Sequence, residues 1–145
     1  MSRYSTGVVT AGAGTAARPV ASLFSAAAVG GKIREIGIFN TTTTAVAVRL
    51  ARLTAQGTPG AGLVEAKHDP DSAAAASTAF DTHTADATVG DDLGYRASLG
   101  AAIGAGVIWT FGESGLRIPV GTANGIGILP EGTGQILRCY IIWDE

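Results

Sequence analysis

Bulky apolar residues in this chain gather in short runs separated by glycine, proline, serine and threonine. Residues 33–39, 45–53, 107–111, 126–129 and 136–143 hold most of the bulk. In the second run Val46, Val48 and Leu50 alternate with Ala47 and Arg49, the period of two expected of a strand with one buried face. Weaker runs at 20–29, 63–66, 77–84, 93–99 and 116–120 extend the series. Pro119 confines the last of these to a sheet edge or a strand end, because proline cannot donate to a ladder. No helical period intervenes beyond one possible turn at 73–76. Short strands divided by turn residues predict an all-β chain. Eight to ten of them favour a jelly-roll-like β-sandwich over a five-stranded barrel.

The connections follow from turn chemistry. Gly30-Gly31 and Gly90-Asp91-Asp92 read as turns, since glycine accepts the positive φ that tight turns require. Asn40 precedes four threonines, which favour extended backbone, so 33–39 and 45–53 are expected as an open hairpin. A second hairpin is expected around 112–115, and a third joins 126–129 to 136–143 across 130–134. The last strand is apolar on both faces, with Ile136, Tyr140 and Ile142 opposite Leu137, Cys139, Ile141 and Trp143. That pattern fits a central strand or a subunit contact. Residues 1–17 are rich in Ser, Thr, Gly and Ala, with Tyr4, Val8 and Val9 as the only anchors. The predicted division is therefore an extended N-terminal arm, 1–19, and a sandwich domain, 20–145.

Composition narrows the function classes. The 145 residues suit one domain, but much of the 46% hydrophobic share is alanine, so the core is expected to gain from subunit contacts. Cys139 is the only cysteine, which rules out an internal disulfide. No signal peptide is read at the Met1 end, and the weakly polar stretch 97–111 is too short and too rich in glycine for a membrane helix. The net charge of −2 argues against nucleic acid as a partner. Its distribution is uneven. Residues 1–52 carry Arg3, Arg18, Lys32, Arg34, Arg49 and Arg52 against Glu35 alone, whereas 53–145 carry four basic residues against eleven acids. Such asymmetry fits either an acidic solvated face or oriented docking on a partner.

Candidate chemistry is sparse. Gly12-Ala13-Gly14-Thr15-Ala16-Ala17 matches a loose dinucleotide pattern, but Pro19 denies the helix that would face a pyrophosphate. Asp81 and His83 fall on one face of the expected 77–84 strand, yet no nucleophile motif accompanies them and one distant cysteine cannot complete a zinc set. Trp109, Trp143, Tyr95, Phe111 and Tyr140 could form a sugar-stacking platform, although aromatics in apolar strands are usually core. The reading is a non-enzymatic protein without cofactor or metal.

Residues 33–42 and 45–54, together with Gly90-Asp91-Asp92-Leu93-Gly94-Tyr95-Arg96 and Tyr140-Ile141-Ile142-Trp143-Asp144-Glu145, resemble small structural proteins of tailed-bacteriophage particles, of the capsid decoration or cement type. The resemblance covers most of 20–145 and rests on strand and turn signatures. It implies a virion protein on the outer capsid surface, made in the host bacterial cytoplasm, with the major capsid protein and itself, as a homotrimer, for partners. A glycan- or receptor-binding module of a phage tail is the alternative. The residues expected to contact the partner are Arg3, Tyr4, Val8, Val9, Arg18, Lys32 and Arg34.

Overall fold

A computed structural model describes all 145 residues, Met1–Glu145. It holds eleven strands: β1 (Arg3–Val9), β2 (Ala21–Phe24), β3 (Lys32–Asn40), β4 (Val46–Ala55), β5 (Ala66–Lys67), β6 (Thr78–Phe80), β7 (Thr88–Leu99), β8 (Gly106–Thr110), β9 (Leu116–Arg117), β10 (Gly125–Pro130) and β11 (Leu137–Asp144). The first sheet runs β5-β1-β11-β3-β8, with β9 also on β3, and the second runs β6-β2-β10-β4-β7. Every pairing is antiparallel. Without the short strands β5, β6 and β9, the order is β1-β11-β3-β8 over β2-β10-β4-β7, a jelly roll in which the chain keeps passing between sheets.

That topology corrects three connections. Strands β3 and β4 lie in different sheets, as do β10 and β11, so neither pair is a hairpin. Strands β8 and β9 both pair with β3 and not with each other. Asn40 makes the β3–β4 crossing an arch. Its Nδ2 donates to the Thr44 and Gly100 carbonyls, and its Oδ1 accepts from the Thr42 amide. Gly90-Asp91-Asp92 is likewise no turn but part of β7, whose register on β4 shifts three times.

The arm expected at 1–19 is also corrected. Residues 3–9 form β1, which pairs along its whole length with β11 and carries β5 on its other side. Tyr4 is buried and stacks on Trp143. Thr10 continues the ladder by accepting, through Oγ1, the Leu137 amide. A run poor in bulk can still be a strand when every second residue faces a core, as Tyr4, Thr6 and Val8 do.

The core lies between the sheets. Ile33, Ile36, Ile38, Leu137, Cys139, Ile141 and Trp143 face Leu23, Ile126, Ile128, Val46, Val48 and Leu50 in one buried cluster of 19 residues. Only Ala21 and Ala79 in that cluster are alanines, so the core is built of bulky aliphatics and not of alanine as expected. The excursion between β4 and β7 places β5 beside β1 and β6 beside β2. It closes that flank of the sandwich. The opposite flank ends in β7 and β8, whose outer edges are unpaired.

Candidate interaction face

The residues expected to bind a partner are dispersed, and most of their charge is neutralised inside the fold. Antiparallel pairing sets Arg3 opposite Asp144, where Nε and Nη2 of Arg3 donate to the two carboxylate oxygens at 2.7 and 3.1 Å. Arg34 Nε donates to Asp144 Oδ2 at 2.5 Å and its Nη1 to the Gly112 carbonyl at 2.8 Å. Asp144 is buried, and hydrogen bonds from Arg3 and then Arg34 hold its carboxyl below the usual range despite that burial. Lys32 begins β3 at the same pole, between Asp144 and Arg117 in register. Arg18 lies elsewhere, paired with Asp86 at 2.7 Å on the covering of the second sheet. The terminal carboxylate residue adds to the closure. Glu145 accepts from the Ala76 and Ser77 amides and from Trp143 Nε1 at 2.8, 2.9 and 3.0 Å.

What the first sheet leaves open is its outer face. Register fixes three rows across β1, β11, β3 and β8: Val9-Arg138-Phe39-Gly106, Gly7-Tyr140-Gly37-Ile108 and Ser5-Ile142-Glu35-Thr110. Val9 and Ile108 are about half exposed, at 51% and 52%. Phe39 and Tyr140 stack at 6.4 Å between ring centres. Both rings lie flat on the sheet, because Gly37 beneath Tyr140 and Gly106 beneath Phe39 lack the Cβ that would meet them. Tyr140 donates to Glu35 Oε1 at 2.5 Å, and burial with that bond pushes the phenol up to about 12. A shallow hollow of about 400 Å³ lies on the face between Val9, Phe39, Arg138 and Tyr140, and one of about 410 Å³ lies beyond its end beside Met1, Arg3, His68 and Asp144. Val9 and the two-faced character of the last strand are legible in the sequence; Phe39 and Ile108 are not, because only the cross-strand register places them beside Tyr140.

The remaining candidates are structural. His83 is buried beyond the end of β6, its Nε2 2.8 Å from Ser22 Oγ, while Nδ1 lies by the Gln56 backbone without closing a good hydrogen bond. Asp81, expected on the same face, turns instead to the Ala11 amide at 3.0 Å. His83 belongs to the 81–87 segment that crosses the second sheet and Ser22 to β2, so the pair fastens that segment to the sheet. Residues 12–17 form no helix; the Gly12 amide is tied to Thr82 Oγ1 and Thr15 bridges Arg18. Trp143 is core, whereas Trp109 and Phe111 meet Tyr95 edge-on at 5.9 and 5.0 Å between the open edges. Compared with family models, curated proteins and solved structures, the chain matches none.

Proposed function

We propose that this chain is a virion structural protein of the capsid decoration type, which binds the outer surface of a phage head and bridges its subunits. The segments that resemble such proteins are β3, the Asn40 arch, β4, the middle of β7 and the end of β11. The observation that carries the reading is a division of labour among side chains. Half of the basic side chains are engaged in pairs within the chain, Arg3–Asp144–Arg34, Arg18–Asp86 and Arg49–Asp92–Arg96, while a mainly apolar sheet face and two edge strands remain open. Open sheet surface of this kind recognises other protein surfaces, and bridging needs stiffness more than turnover. Both ends of the chain are zipped into adjacent strands, which serves that stiffness: the Ser2 amide donates to the Glu145 carbonyl and the Glu145 amide to that of Ser2.

The test is to add the purified chain to phage heads stripped of their decoration. Stoichiometric cosedimentation and regular added density on the outer shell are the expected result. Heads that sediment without the chain, across a range of salt, would defeat the reading.

A further inference from the structure

The outer face of the first sheet carries two charges that nothing in the fold neutralises. Arg138 is exposed at one end of the patch and makes no ion pair or hydrogen bond. Glu35 sits two rows away on the neighbouring strand and has only the Tyr140 hydroxyl, because the nearby Arg3 and Arg34 both turn to Asp144. Between these charges lie Tyr140 and Gly37. A free cation and a free anion placed diagonally about the centre of a flat apolar face form a self-complementary pattern.

We propose that this face binds a second copy of the chain, the two sheets packing face to face about a two-fold axis with Arg138 of each copy on Glu35 of the other. The register makes the geometry explicit. With strands about 4.8 Å apart and alternate residues about 6.7 Å apart, the axis that exchanges Arg138 and Glu35 lies roughly 20° from the rows. The strands of the two copies then cross at roughly 40°, close to the angle at which aligned sheets pack. Under the same operation Tyr140 meets the second copy's Tyr140. Phe39 falls between the second copy's Ile108 and Thr110. Ile142 falls on the hollow that Gly7 leaves beside Val9. The operation that satisfies the charges therefore also brings Tyr140, Phe39 and Ile142 against mainly apolar partners.

The patch covers on the order of 400 Å² on each copy, about half of what a stable interface buries and in the range of weak, transient ones. The dimer is accordingly weak and forms only at high protein concentration. This inference gives the sheet face to a second copy and leaves the edge strands β7 and β8 for a shell; it needs no shell itself, and failure to bind one would leave it intact.

The experiment is sedimentation velocity with native mass spectrometry on the isolated chain from about 5 to 500 micromolar, a range that brackets a weak interface. A concentration-dependent species at twice the 14.5 kDa chain mass is expected. Arg138→Glu and Glu35→Arg should each weaken association about tenfold or more, and the double variant should regain it, because the exchanged charges still face each other. Were Glu35→Arg to unfold, as judged by circular dichroism, Arg138→Glu and Ile108→Asp would carry the test, and both must weaken association. A monomer throughout, a trimer, or loss of association without rescue in a folded double variant would each overturn the proposal.

Discussion

The two outer faces of the sandwich use the same device to opposite ends. On the second sheet, Phe24 lies over Gly125, while Leu53 and Pro19 close on Gly127. There the chain returns to cover the aromatic. Residues 81–87 and the segment before β2 lie across the face, the His83 amide donates to the Pro19 carbonyl and the Ala87 amide to that of Ala17. Phe24, Leu53 and Ala87 thus form a second small core with Phe80 and Val89 against it. On the first sheet, Tyr140 and Phe39 lie over Gly37 and Gly106 just as flatly, and no segment returns to cover them. In both places glycine lets an aromatic ring lie down on the sheet. Whether that flat surface becomes core or contact depends on where the crossing segments run.

The sharpest way to break this comparison is to remove the matched rings. Phe24→Ala should cost about 3–5 kcal/mol, the range for emptying a buried aromatic site, because the covering loop cannot collapse onto a sheet stiffened from behind. Phe39→Ala deletes a ring of similar size that is only half buried, and should cost about 1 kcal/mol. Urea melts of the two variants measure the contrast. Equal losses would mean that the first face is covered in solution or that the second is open.

The same contrast marks what the sequence discloses. Strands β3, β4, β8 and β11 are legible because their β-branched and aliphatic bulk sits at strand spacing. The Asn40 arch is legible as turn chemistry, though its destination is not. A jelly roll sends consecutive strands to opposite sheets, so proximity in sequence misleads about hairpins whenever the connecting segment is long enough to cross. Strand β1 escapes notice because Ser5, Thr6 and Gly7 lack bulk, and its anchoring comes from Trp143 and Asp144 at the other end of the chain. The excess of positive charge in the first 52 residues has the same explanation. Arg3 and Arg34 answer an aspartate 141 and 110 positions away, so a count along the chain makes them look free. The interaction face is half legible: the second apolar side of the last strand announces a contact, but its neighbours Phe39 and Ile108 come from register alone.

Acid separates the two faces by chemistry. Burial lowers the His83 pKa from its ordinary 6.5, opposed in part by the Gln56 backbone. The unfolded chain therefore takes up a proton first as pH falls, and stability declines from about pH 6.5 downward. A tenfold difference in proton affinity between the folded and unfolded chain is worth about 1.4 kcal/mol, fully expressed only below the folded pKa. Asp144, whose pKa is depressed by Arg3 and Arg34, adds stability above the usual carboxylate range that is lost on titration below it. The two windows do not coincide. Melts from pH 7 to pH 5 should show a decline in wild type that His83→Gln flattens, with the lower-pH decline unchanged. A wild-type curve flat to pH 5 would remove His83 from its buried place against Ser22.

The smallest effect is the most discriminating for the open face. Ile108 stands half exposed on an edge strand, beside Gly37 in register, and threonine there retains β-branching and strand preference. Ile108→Thr should leave the melting curve of dilute protein within about 0.5 kcal/mol of wild type, as exposed substitutions away from special features do. At high concentration the balance changes. The lost apolar contact falls against the second copy's Phe39, so the concentration needed for the dimer should rise several-fold while the fold stays as it was. A substitution at a site that serves only stability moves the melting curve, and one at a site that serves only solvation moves nothing. A shift in association with an unmoved melting curve is the signature of a surface that the chain leaves uncovered for another molecule.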